Sequence, residues 1–138
     1  MSVFTDKELE YIRSQRLGRL ATVRPDGTPQ NAPVGFRYDA ELDVIDIGGR
    51  FMSKSKKFLN VAQNPNVAFV IDDVLPPWQP RFVEIRGTAQ QLPTGGKTIF
   101  GANYAADDAI IRITPRQIIS YGLEEGPGWA NNRKVERE

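Results

Sequence analysis

Arg50, Lys54, Lys56 and Lys57 crowd four cations into one short segment, with Ser53 and Ser55 between them. They lie in GGRFMSKSKKFLNVAQNPNVAFVIDD, Gly48 to Asp73, which reads as a strand end, a basic loop, a short helix and a second strand. Ser53 or Ser55 suits the helix N-cap, because a hydroxyl accepts from the orphan amides of the first turn. Lys56 and Lys57 then fall in that first turn, where the helix dipole is positive and each cation is unfavourable by about 0.3–1 kcal/mol. A bound anion would remove the conflict, since free amides and ammonium groups would converge on it. The alternative is a solvated charge run with no ligand. Phe58, Val61 and Ala62 form the expected apolar face of the helix, Asn64-Pro65 ends it, and Val67–Ile71 is the next strand.

Composition narrows the chemistry. The chain has 138 residues, 40% hydrophobic and 25% charged, which suits a single domain that needs neither metal nor disulfide to fold. It contains no cysteine and no histidine. Thiol–imidazole zinc sites, histidine-ligated haem and histidine-based triads are therefore excluded, and no metal site is expected. If the chain catalyses a reaction, a cofactor or its Tyr, Lys, Asp and Glu side chains must do so. A net charge of +1 without a broad basic bias disfavours nucleic acid as the partner. No apolar run is long enough to span a bilayer, and the polar start MSVFTDKELE is unlike a signal peptide, so a cytoplasmic location is expected.

The elements that must hold the basic loop are short. Thr5 and Glu8 predict a capping box, with Phe4 and Leu9 as hydrophobic staple, and Gly18 is expected as the left-handed cap ending that helix. Arg19–Val23 and Thr28–Tyr38 form a hairpin around the turn Arg24-Pro25-Asp26-Gly27. Pro29 and Pro33 place the second strand at an edge or facing an opening, and Asn31, Pro33 and Gly35 would let a flat ligand approach its backbone. A bulged edge strand without a ligand is the alternative. Leu42–Gly48 is a third strand. Asp72-Asp73 reads as a turn. Trp78, in the proline-rich segment 74–80, is either a core plug or an interface anchor. Arg81–Leu92 alternates as a strand. Ile110–Ile113 and Gln117–Tyr121 read as two strands separated by Thr114-Pro115, and residues 124–138 as a polar tail behind a domain at 1–123. The total is six or seven antiparallel strands with peripheral helices, a mainly β protein closed as a barrel.

A set of ordered motifs carries a resemblance. These are Gly18-Arg19-Leu20-Ala21-Thr22, then Asp26-Gly27-x-Pro29-Gln30-x-x-Pro33-Val34, then Ser55-Lys56-Lys57-x-x-Asn60-Val61-x-x-Asn64-Pro65-x-Val67. Val83-Glu84-Ile85-Arg86-Gly87, Arg112-Ile113-Thr114-Pro115 and Ile119-Ser120-Tyr121-Gly122 complete it. From Thr5 to Gly122 the chain resembles the pyridoxamine 5′-phosphate oxidase-like split β-barrel superfamily, and within it the actinobacterial flavin/deazaflavin oxidoreductases described as dependent on coenzyme F420. The resemblance implies a homodimer with two cofactor sites at the subunit interface. It implies that the ring lies near Asn31, Pro33, Val34, Gly48, Gly49 and Arg50, and the phosphate near Ser53, Ser55, Lys56 and Lys57. Trp78 and Arg81 would reach the site from the partner chain, with the Trp129 tail as a possible cover. The chain departs from the vitamin-pathway oxidases in having Phe82 where they have a flavin-contacting glutamine, and in lacking their histidine-containing C-terminal signature.

The expected function is therefore an oxidoreductase that uses reduced coenzyme F420 to transfer a hydride to a small unsaturated organic molecule. FMN is the alternative cofactor, since both share ring, ribityl chain and phosphate. A flavin-binding protein without turnover is the alternative of another class. Tyr38, Tyr104 and Tyr121 are the phenols available as proton donors.

Overall fold

Thr5 starts the first helix as its sequence requires. In the computed structural model, which describes residues 1–101, 105–124 and 129–136, the Thr5 hydroxyl accepts from Glu8 N–H at 3.1 Å and the Glu8 carboxylate accepts from Thr5 N–H at 2.9 Å. Helix α1 spans Asp6–Ser14 and is capped at Gln15 in extended backbone, not at Gly18. Gly18 belongs to strand β1 (Leu17–Val23). Its glycine has a packing reason instead, because a Cβ there would sit 2.3 Å from the buried Phe69 ring.

The remaining elements are β2 (Pro29–Asp39), β3 (Val44–Gly48), a 3-10 turn (Met52–Lys54), α2 (Lys56–Gln63), β4 (Asn66–Leu75), β5 (Gln79–Leu92), α3 (Gly96–Phe100), β6 (Ile110–Tyr121) and β7 (Ala130–Lys134). All pairings are antiparallel, in the order β3-β2-β1-β4-β5-β6-β7, and β3 also pairs with β6. That extra pairing closes six strands into a barrel and leaves β7 as an appendage. The interior holds Leu20, Ile45, Ile47, Phe69, Ile71, Ile85, Ile111, Ile113 and Ile118, each at most 1% exposed. Burial of such a side chain contributes about 1.5–3 kcal/mol.

Three expectations are corrected by pairing. Asp72 and Asp73 do not turn the chain; they lie inside β4, where Asp72 meets Arg19 at 3.2 Å and Asp73 binds Arg81 through two hydrogen bonds. Thr114-Pro115 does not separate two strands. It marks the bulge at which the continuous β6 changes partner, from β3 along Ile111–Ile113 to β7 along Gln117–Tyr121. A proline costs little there, where its missing donor faces no neighbour. The segment expected as a polar tail contains strand β7, and Trp129 leads into it with its carbonyl accepting from Gly122 N–H at 3.0 Å.

The strand β7 is held by charge. Glu8, 0% exposed, accepts from Arg133 at 2.6 and 3.0 Å and from Ser120 at 2.7 Å, while Arg133 also donates to the Val3 carbonyl. Burial alone would raise the Glu8 carboxyl pKa; the hydrogen bonds from Arg133, Ser120 and Thr5 outweigh it and hold the group below its usual value. Replacing Arg133 by Ala strips a buried carboxylate of its cation and is expected to cost about 3 kcal/mol in urea unfolding at pH 7. Because the folded-state pKa is depressed, this stability is present above the ordinary glutamate pKa and is lost as pH falls through the lower folded value. The difference between wild type and R133A should therefore shrink in acid; a pH-independent difference would show that the pair is not ionic.

Candidate active site

Strands β2 and β3 part company at a pair of glycines. Their last rung is Gly35 opposite Gly48. Beyond it β2 stays paired to β1 through Val34, Pro33, Ala32 and Asn31, but the chain of β3 leaves through Gly49 and Arg50 into the 3-10 turn. The outer edge of Asn31–Val34 thus has no strand partner, which is where Pro33 is tolerated. The same strand is interior from Gly35 to Asp39, so the expected edge is confined to half of β2. Asn31, Pro33, Gly48, Gly49 and Arg50 are brought to this opening. Val34 is there by its backbone only, since its side chain is 5% exposed and packs in the core.

The opening leads to α2. Ser55 is its N-cap, accepting from Phe58 N–H at 3.3 Å. Lys56 and Lys57 occupy the first turn, with no acidic residue there, and their N–H groups meet no acceptor among the described residues. Nor do Arg50, Lys54, Lys56 or Lys57 form an ion pair among the described residues. Burial pushes the Lys57 pKa down from its ordinary value, the direction expected of a cation desolvated without a counter-charge. The serines are committed differently. The Ser55 hydroxyl donates to the Met52 carbonyl at 2.7 Å, and Ser53 donates from both N–H and hydroxyl to Asp107.

Sequence reasoning missed three residues. Asn60 is buried where Ala62 was expected to be, and its amide donates to Thr22 at 3.0 Å and Gln30 at 3.1 Å, tying α2 to the β1–β2 hairpin. Its place in Lys56-Lys57-x-x-Asn60, one turn on from the lysines, was the available signal. Phe100 lies over Gly48, its ring 2.3 Å from where a Cβ would stand. Asp107 reaches Ser53. Neither comes from a segment with a readable pattern.

Trp78 and Arg81 are not at this opening within one chain. They belong to the β4–β5 hairpin, which pairs with β1 on one side and β6 on the other and with neither β2 nor β3. Trp78 is 76% exposed, which corrects the core-plug alternative, and Arg81 is held by Asp73 with its guanidinium 4.9 Å from the Tyr11 ring centroid. A cavity of about 540 Å3 opens on the outer face of the sheet, lined among others by Ala21, Asn31, Ala68, Val70 and Phe82. Asn31 borders both features. Of the phenols, Tyr38 donates to Asp43 and packs edge-on against Phe4, so its proton is committed; burial, first, and Asp43 raise its pKa. Tyr121 stacks on Phe82 with ring centroids 5.8 Å apart. Tyr104 lies outside the described residues. Trp129 docks at the end of β6 opposite the residues that pair with β3, away from the basic loop.

Residues 4–122 match the model of the pyridoxamine 5′-phosphate oxidase family. The chain belongs to that family. It is 51% identical over 123 residues to a 5a,11a-dehydrotetracycline/5a,11a-dehydrooxytetracycline reductase of Streptomyces rimosus, covering 88% of this chain and 84% of the relative. A solved structure described as an F420 reductase shares 30% identity at a TM-score of 0.55, covering 72% of this chain and 86% of that one. A pyridoxamine 5′-phosphate oxidase-related, FMN-binding protein of Nostoc punctiforme shares the fold, with a TM-score of 0.62 at 15% identity and coverage of 94% and 93%.

The unpaired cations leave a stability signature. Lys57→Gln is expected to stabilise the ligand-free protein by about 0.5 kcal/mol, because it removes a positive charge from the positive end of a helix. Urea unfolding in low salt without phosphate reads this; destabilisation would mean that the lysine serves the fold and not a ligand.

Proposed function

We propose that this family oxidoreductase binds reduced coenzyme F420 and reduces a carbon–carbon double bond conjugated to a ketone in a small polycyclic molecule. The observation that carries the reading is the set of unpaired cations on the N-terminus of α2, at the end of an opening framed by two glycines. The donor set fits a phosphate: two amides without acceptors and two lysines share the first turn of α2, where the helix dipole is positive. The 51% identity to a dehydrotetracycline reductase supports the substrate class. The likeness to an F420 reductase supports the coenzyme.

When bound, the reduced deazaflavin supplies a hydride from C5 of its ring. The work of this chain is positional. Lys56 and Lys57 hold the phosphate, and Asn60 fixes their helix against the hairpin that carries Asn31 and Pro33. The unpaired backbone edge of Asn31–Val34 offers N–H and C=O groups along one side of the ring. Ring and substrate held in register, with water excluded, account for rate without a strong acid or base on the protein. The accompanying proton comes from solvent or from Tyr121, whose phenol lies beside Phe82.

The site is completed by a second copy. The outer face around the cavity presents Ala21, Ala68, Val70 and Phe82 together with Arg19, Asp72 and Glu84, a mixed surface on which another sheet could pack, and Trp78 stands exposed on the β4–β5 hairpin. Through a two-fold dimer, Trp78 and Arg81 of one protomer reach the opening of its partner. Val70→Asp is expected to convert a particle of twice the chain mass into a monomer in sedimentation, and to abolish coenzyme binding with it.

Quenching of Trp78 and Trp129 fluorescence during separate titrations with F420 and FMN tests the coenzyme. Saturable binding of F420 should be the tighter, and K57A should weaken it about 10- to 100-fold, as for loss of a charge-assisted hydrogen bond. Tighter binding of FMN would make this a flavin enzyme, and an unchanged Kd in K57A would remove Lys57 from the site. Steady turnover of a dehydrotetracycline with reduced F420 separates an enzyme from a binding protein.

A further inference from the structure

Ser53 meets a carboxylate in a loop otherwise rich in unpaired cations. Its N–H and its hydroxyl both donate to one oxygen of Asp107, at 2.9 and 2.7 Å. The other oxygen accepts from Asp108 N–H at 2.8 Å, and Asp107 N–H donates to the Gly49 carbonyl at 2.8 Å. The carboxylate is thus fixed by Ser53 on one oxygen and Asp108 N–H on the other, and its backbone is tied to Gly49. Ser53 precedes Lys56 by three residues, a reach of about 11 Å when fully extended, and the 3-10 turn and N-cap shorten it. That separation is comparable to a Debye length, so the charge is felt at the first turn of α2.

We propose that Asp107 is a specificity-determining residue, whose fixed carboxylate makes the phosphate site prefer a singly charged phosphodiester to a doubly charged phosphate monoester. This rests on the reading of the basic loop given above and assigns its selectivity. F420 carries its lactyl-glutamate tail through the phosphate, which is therefore a diester with one charge and two free oxygens. FMN ends in a monoester with three free oxygens, whose second ionisation near pH 6 gives it a charge of about −1.5 to −2 at pH 7. Two oxygens match the two free amides of α2. A third finds no free donor at Ser53, whose N–H and hydroxyl Asp107 already holds, and the added charge would meet a like charge. Hydrogen bonds from Ser53 hold the Asp107 carboxyl below its usual pKa, so it stays ionised across the range in which the monoester titrates.

Fluorescence titration of the full-length protein with F420 and with FMN tests this. Since the repulsion at this site scales with the charge on the phosphate group itself, Asp107→Asn is expected to tighten FMN about tenfold and F420 only about threefold. The gain for FMN should be larger at about pH 8 than at about pH 5, where the monoester carries one charge, while the gain for F420 stays constant. Asp107→Glu retains the charge and should retain the preference. Equal effects on both coenzymes, or a pH-independent gain for FMN, overturn the proposal while binding that depends on Lys57 leaves the parent reading standing. Binding of neither coenzyme overturns both.

Discussion

The edge of β6 that faces away from β5 is shared between two strands. Its first part pairs with β3 and closes the barrel; its second part pairs with β7. Closure through so short a register decides the rest. A closed barrel has no exposed edge to attract other chains, but only if the closing strand ends where the curvature demands. Here β3 ends at Gly48, after five residues, while β2 continues for six residues beyond its last rung with β3. The mismatch creates the opening at Asn31–Val34 and sends the chain directly into the basic loop. Architecture and site are therefore one geometric fact.

The loop itself runs against the preference of its helix. Cations sit at the positive end of α2, without acidic partners among the described residues, and one is partly desolvated. Local rules are broken in this way where function requires it, and stability is recovered elsewhere. Buried ion pairs tie the elements around the barrel together. Glu8 with Arg133 fastens β7 to α1, and Asp46, fully buried on β3, is held by Arg112 of β6 at the closing seam. Each pair joins elements far apart in sequence, and truncating either arginine would leave a buried carboxylate without its hydrogen-bond partner.

Asp107 modulates the same field. A carboxylate held on Ser53 tempers four cations with one negative charge and leaves the amides of Lys56 and Lys57 as the free donors. Both serine hydroxyls already have acceptors, so the donors this loop leaves without one are backbone amides of the first turn of α2 and the lysine side chains.

The sequence by itself determined the local caps and turns and the cluster of cations in the candidate site. The capping box at Thr5 and Glu8, the Ser55 cap, the Asn64-Pro65 stop and the Asp26-Gly27 turn are short-range chemistry, legible because donor and acceptor lie within four residues. The motifs also gave the family and the mainly β barrel. What only the tertiary structure decided involves partners remote in the chain. Gly18 is a glycine because Phe69 lies against it, Asp72 and Asp73 are strand residues because Arg19 and Arg81 face them, and Pro115 interrupts nothing because β6 changes neighbours there. Burial of Glu8, the tether of Asn60 and the grip of Asp107 on Ser53 follow the same rule. A side chain's type shows which bond it can make, but the fold alone sets which group stands within 3 Å of it.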